Sequence, residues 1–274
     1  MTRSERVTNR VVVHTVGIII SVGIYLLPLL YLLMISLKST HNFLTSPLSI
    51  PNHLEWSNFV SAWQQGSFSA YFVNSIIYTV FITIFTLLIS LMVAFPVARN
   101  MWKFSNLVYL FFLISLFLPG GLIALFAESQ TLHLFNNRIG YIVLNVSTGL
   151  SFFFFVGYIK SIPKELDEAA VMDGCGYFRF LFTILPPLIR PALASMGLFT
   201  AIGAWNNLIG PVVFLSDSKL WPLTRGLFAF YGQFGNNWPL LSAAIIIVMA
   251  PLIVLFVFLQ RYIVQGAMGG AVKQ

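Results

Sequence analysis

Charged residues are scarce in this sequence: Asp, Glu, Lys and Arg make up 8% of its 274 residues. A soluble domain carries about a quarter, so a water-soluble globular enzyme is excluded. Cysteine occurs once, at Cys175, which rules out an internal disulfide. No Gly-x-x-x-x-Gly-Lys-Ser/Thr loop is present to cradle phosphates, so ATP hydrolysis by the chain itself is not expected. His-Glu-x-x-His and Gly-x-Ser-x-Gly are missing as well, which argues against an intramembrane metalloprotease or lipase. His41, His53 and His133 stand too far apart to suggest a metal site by ligand spacing, and none is inferred. Ten-residue segments of alternating polarity, the mark of a membrane β-barrel, do not occur. Low-complexity tracts and internal repeats are absent too.

What fills the chain instead is apolar: 58% hydrophobic and 16% aromatic. A hydrocarbon core of about 30 Å needs roughly 20 apolar residues per helix. Six stretches meet or nearly meet that length: Val11–Ser36, Tyr71–Ala98, Leu107–Ala127, Ile139–Ile159, Leu188–Leu215 and Leu240–Leu259. The expected fold is therefore all-α, a single polytopic membrane domain over 1–274 with six transmembrane helices. The first stretch is too long for a signal-peptide core and leads into Lys38-Ser39-Thr40 without a small-x-small cleavage site, so it reads as a retained helix. Pro28 within it is tolerable in a packed bundle.

The basic residues orient these helices. With a cytoplasmic N-terminus, only Lys38, Arg138, Lys219 and Arg225 of the 15 Lys and Arg fall outside. The remainder gather on the inner side, so both termini are expected in the cytoplasm. A basic inner rim beside anionic lipid accounts for the net charge of +7 without nucleic acid. Between the first two stretches, 37–70 is rich in Ser, Asn, Pro and Trp and reads as short interfacial helices. Asn74-Ser75 reads as a pair that helps to cap or position the outer start of the second helix, a cap being favoured over a ligand contact.

Charge of one sign does collect in one place. Glu165, Asp167, Glu168 and Asp173 lie within nine residues of the loop 160–187, half of the eight carboxylates in the chain. Such a cluster must face water or a protein partner, because hydrocarbon is costly for charge. Pro163 stands near a helix start, and acids in the early turns suit the helix dipole. Leu166, Ala169, Ala170 and Asp173 recur at i, i+3, i+4 and i+7 and share one face. Gly174 and Gly176 permit a reversal, and a second helical stretch over Tyr177–Leu185 stops at Pro186-Pro187. On the residues alone, a partner-facing helix and a solvated connector stand about equal.

The pattern resembles the EAA loop of inner-membrane permease subunits in bacterial ABC importers: Glu-Ala-Ala, three residues, Gly, nine residues, Ile, one residue, Leu-Pro. Glu168, Ala169, Ala170, Gly174, Ile184 and Pro187 are in register, and Asp173 before the glycine is also usual. Pro186 in the leucine place and Cys175 in a common alanine place are departures. Ala204-Trp205-Asn206-Asn207, Pro222 through Leu227, and the ending Gln260 through Lys273 resemble the maltose-type carbohydrate permeases, in particular the smaller of the two permease subunits. The resemblance runs from about the first helix to the C-terminus and is strongest after residue 160.

That resemblance implies a carbohydrate importer subunit in the bacterial cytoplasmic membrane. It implies a second related permease subunit, a pair of ATPase subunits that hold ATP and Mg, and an extracytoplasmic solute-binding protein. Glu168, Ala169, Ala170, Asp173 and Gly174 carry over as the ATPase-coupling residues, and the tail 266–274 as a further ATPase contact. No catalytic residue, metal or cofactor is expected in this chain. An independent feature agrees: Arg190 is the only formal charge inside the spans, close enough to the inner interface to snorkel. Proton-coupled carriers place acids or histidines at the midplane; here none is available, so energy must come from elsewhere.

The most polar cluster inside a span, Trp205-Asn206-Asn207, has two readings. Asparagine amides and an indole face suit a sugar in a substrate pathway, whereas intramembrane amides commonly tie helices together; the second is favoured. Phe152–Phe155 reads as core or lipid-facing. Alternatives are an importer of a polyol or sugar derivative, a sodium-coupled carrier and a non-transport scaffold.

Overall fold

The computed structural model describes residues 3–118 and 120–271, and helices are its only regular elements. In chain order they are α1 (Arg3–Ser36), α2 (Thr40–Thr45), α3 (Ser57–Gln65), α4 (Phe68–Ala98), α5 (Ser105–Ser115), α6 (Leu122–Thr131), α7 (Arg138–Leu144), α8 (Gly149–Ser161) and α9 (Glu165–Met172). Then come α10 (Tyr177–Arg179), a π-helical turn Phe180–Ile184, α11 (Leu185–Leu188), α12 (Arg190–Asn206) and α13 (Ile209–Phe214). The last are a 3₁₀ turn Ser218–Leu220, α14 (Leu223–Phe234) and α15 (Trp238–Ala271). Residues 272–274, the end of the C-terminal pattern, lie outside the described residues.

Three segments are each long and apolar enough to cross a membrane: His14–Ser36, Phe68–Ala98 and Trp238–Phe258. Three bent pairs pass the same test together: α5 with α6 at 112°, α7 with α8 at 54°, and Tyr177–Leu188 with α12 at 87°. Counting each pair as one span gives six. Where the sequence suggests one helix over 188–215, the helix stops at Asn206. Asn207 is extended, and its side-chain oxygen accepts from the Gly210 N–H at 2.9 Å at the start of α13. In the fourth stretch, Asn145 turns its amide back onto the Tyr141 carbonyl at 2.8 Å, and α7 ends there. Asparagine competes with the helix ladder in this way because its side chain mimics a backbone group.

The stretch after Gly176 also differs from expectation. It does not stop at Pro186-Pro187 but continues to Leu188 through the π turn. A widened turn relieves the clash that a proline ring makes with the carbonyl four residues before it.

The chain forms two compact units, Met1–Ser69 with Gly226–Ala250 and Ala70–Arg225 with Pro251–Gln274. In the first, Lys38 is fully buried and its ammonium donates to the Ser46 and Pro47 carbonyls, both at 2.8 Å. Burial pushes its pKa below the ordinary lysine value, and these acceptors compensate the desolvated charge. Asn58 donates to the carbonyls of Ser36 and Lys38 at 2.9 Å, and Phe68 packs on Phe230 with centroids 5.6 Å apart.

In the second unit the main core joins α4, α8, α9 and the segment 180–196 around Phe95, Phe152, Phe155, Ile159, Leu181 and Ile189. A smaller core gathers Tyr78, Ile82, Tyr141, Phe214 and Leu215. Asn74 and Ser75 fasten this end, and not as caps. Asn74 donates to the Lys219 and Trp221 carbonyls at 2.8 and 3.0 Å and accepts from Arg138 at 3.0 Å. Ser75 accepts the Leu223 N–H at 2.7 Å. Both are buried, so their polar atoms seek partners far along the chain instead of closing their own helix.

Candidate functional site

Two places in the second unit concentrate polar groups: the surface helix α9 and a cavity at the helix breaks. Helix α9 opens with Glu165, Asp167 and Glu168 in its first turn, where the exposed N–H groups favour negative charge. Gly174 ends it with φ of +72°, the left-handed region that glycine enters freely, while Gly176 at φ of −71° needs no such freedom.

The face of α9 differs from the helical-wheel expectation. Ala170 is buried against the core, whereas Leu166, Ala169 and Asp173 are exposed. What turns the helix is Arg99, one residue past α4. It donates to the Ile162 carbonyl at 3.0 Å and to one Asp167 oxygen at 3.1 Å, and its Nε lies against the other oxygen. The Arg99 side chain is 6% exposed and that of Asp167 is 22% exposed. The guanidinium thus ties the α8–α9 loop carbonyl and the α9 carboxylate to the end of α4, one hydrogen bond to each and an ion-pair contact beside them. Glu168, Ala169 and Asp173 are left facing outward beside Val171 and Met172, which are 69% and 86% exposed. The result is an acidic and apolar surface held on a fixed strut.

The second place is a cavity of about 330 Å³ lined from α4, the α7–α8 break, α8 and α12. Its polar lining comes from Thr86, Asn145, Ser147, Ser151, Thr200 and Asn207, and no ionisable side chain contributes. Asn207 donates to the Asn145 side-chain oxygen at 2.8 Å, which joins the two helix breaks. The Asn207 carbonyl accepts from Thr224 at 3.1 Å. Irregular backbone at membrane depth is tolerated where it lines a cavity or lies within protein.

The three residues Trp205, Asn206 and Asn207 part company here. Asn207 reaches the cavity, Trp205 is buried edge-on against Phe72 with centroids 6.1 Å apart, and Asn206 is exposed. Sequence reasoning misses Thr86, Asn145 and Arg99 as site residues. Asn145 alone carried a signal, an amide in the middle of an apolar run. Among the described residues no group of three or more His, Cys, Asp and Glu could hold a metal ion.

The architecture is that of a multi-pass helical membrane protein with a surface helix anchored to its body. The model for "Binding-protein-dependent transport system inner membrane component" matches residues 86–268, and the chain belongs to that family. It is 32% identical to the diacetylchitobiose uptake system permease protein NgcG of Streptomyces coelicolor over 95% of this chain and 88% of that one. It is also 32% identical to the melibiose/raffinose/stachyose import permease protein MelC of Bacillus subtilis, over 91% and 92%. The fold matches a chain in the crystal structure of a bacterial ABC transporter involved in import of the acidic polysaccharide alginate. The TM-score is 0.83 at 23% identity, covering 96% of this chain and 99% of the other.

Proposed function

We propose that this chain is the permease subunit of an importer that moves a carbohydrate across the cytoplasmic membrane, driven by ATP hydrolysed on separate subunits. The outward acidic surface of α9, braced by Arg99 and Asp167, is the observation that carries this reading. A helix that is only solvated has no use for a buried guanidinium strut, whereas a helix pushed by a partner does. Glu168, Ala169, Asp173 and the Gly174 turn form the docking face, and Ala170 sets the seat behind it. Movement of α9 passes through Arg99 to the end of α4 and through Ala170 to the main core.

In this reading a second permease completes the pathway, an ATPase pair holding ATP and Mg lies beneath, and a solute-binding protein delivers sugar outside. Both termini then face the cytoplasm, and lipid covers the apolar exterior. Sugar specificity is supported by relatives whose names specify diacetylchitobiose and the melibiose, raffinose and stachyose group. Asn207 is the member of the Trp205–Asn207 cluster that faces the pathway.

The test is affinity purification of the complex with Glu168→Lys or Gly174→Val. The expected outcome is loss of a P-loop ATPase from the purified assembly while the second permease is retained. Full recovery of the ATPase together with wild-type sugar uptake contradicts the assignment.

A further inference from the structure

We infer that the cavity between Thr86, Asn145 and Asn207 is a binding subsite in this subunit for one ring of a neutral polyhydroxyl solute. The inference rests on the import reading and specifies where and how sugar touches this chain. Thr86 is 1% exposed, lines the cavity, and its hydroxyl has no hydrogen-bond partner among the described residues. The hydroxyls of Ser115, Ser129 and Ser161 return to the carbonyl three residues earlier at 2.7, 2.6 and 2.7 Å. That local bond is the ordinary resting place for a hydroxyl on a helix. Thr86 forgoes it, and a buried hydroxyl without a partner is costly unless something in the cavity takes its bond. The Thr79 and Thr83 hydroxyls, seven and three residues earlier on the same face of α4, are also buried and have no partner among the described residues.

The opposing polar groups are preorganised. Asn145 is held by the Tyr141 carbonyl and by Asn207, and Asn207 is held in turn by the Gly210 N–H. Each amide nitrogen has spent one of its two hydrogens and each oxygen one of its two lone pairs in these bonds. What remains is a fixed set of donors and acceptors, the complement of sugar hydroxyls, which also donate and accept. Without an ionisable side chain in the lining, a charged solute would stand unpaired in a low-dielectric site. Phe199 and Met196 add an apolar wall for the carbon face of a ring. The volume falls at the lower end of ligand pockets, roughly 300–1,000 Å³, which suits one ring and not a chain.

The experiment uses the complete complex in proteoliposomes with its binding protein. It measures ATP-driven uptake of radiolabelled raffinose, maltotriose, arabinotriose and diacetylchitobiose at saturating concentration. Thr86→Val keeps the shape and removes the hydroxyl, and Thr86→Ser keeps the hydroxyl and removes a methyl. With assembly yield equal to wild type, uptake should fall about three- to tenfold in Thr86→Val and stay within about twofold in Thr86→Ser. Wild-type rates in Thr86→Val, or equal loss in both variants, overturn the subsite, since a packing role follows the methyl. Gly203→Val supplies a second route from α12. A Cβ at Gly203 meets no atom within 4 Å, so the added side chain starts in open space at the cavity lining. If Thr86→Val lowers assembly, Gly203→Val decides: reduced uptake supports the subsite and unchanged uptake overturns it. A wild-type complex with no ATP-driven uptake of any sugar that its binding protein holds overturns the import reading and this inference together, whereas transport by wild type with unaffected variants overturns the subsite alone.

Discussion

The surface helix α9 and the cavity at the helix breaks solve opposite problems with opposite chemistry. Within nine residues, α9 and its turn carry four of the eight carboxylates of the chain; Glu165, Glu168 and Asp173 stand in solvent, and Asp167 pairs with Arg99. The cavity is lined by amides, hydroxyls and apolar groups and has no ionisable side chain. Charge suits a surface that must grip a protein, because it is cheap in water and directional when paired. Neutral hydrogen-bonding groups suit a passage for a neutral solute, because they bind without trapping a charge in a low dielectric. The one ion pair among the described residues, Arg99 with Asp167, joins the surface helix to the body and not to the cavity.

The strongest way to break this contrast is to cut the strut. Arg99→Ala leaves Asp167 and the Ile162 carbonyl without their donor, and should cost roughly 2–3 kcal/mol, between exposed and fully buried ion pairs. Thermal denaturation of the purified complex should show the loss, and uptake should become uncoupled from ATP hydrolysis. Gly174→Val comes next. A branched residue at a left-handed φ costs about 1–2 kcal/mol locally, and the turn shifts, so co-purification of the ATPase should fail before overall stability does. Asn207→Ala removes the tie to Asn145 and the bond from the Gly210 N–H. A drop of about 1 kcal/mol, with reduced sugar uptake and intact ATPase binding, would separate the cavity from the surface helix. The smallest effect is expected at Asn206→Ala. This exposed side chain should change stability by less than about 0.5 kcal/mol, and an uptake assay should return the wild-type rate.

Legibility in the sequence divides along the same line. The α9 region could be read because its signal is local: acids in a first turn, two alanines and a glycine turn lie within ten residues. The all-helical class followed from composition, since few other structures bury this much apolar chain in lipid. What escaped depends on distance along the chain. Arg99 and Asp167 are 68 residues apart, and Arg99 looked like one more basic residue of an inner rim. Asn74 stands near a helix start and reads as a cap, yet its partners lie 64, 145 and 147 residues onward. The breaks at Asn145 and Asn207 are invisible to hydropathy, because the apolar runs continue through them. Thr86 reads as a good lipid-helix residue, and only the cavity beside it distinguishes it from Thr79 and Thr83.

If a partner ATPase drives a neutral sugar past this chain through α9, ATP alone must suffice for uptake. The direct measurement is radiolabelled sugar uptake by the reconstituted complex under two drives: ATP with no ion gradient, and an inward sodium gradient without ATP. Uptake with ATP alone, abolished by Glu168→Lys, is the expected result. Uptake on the sodium gradient without ATP, undiminished by that substitution, would contradict it.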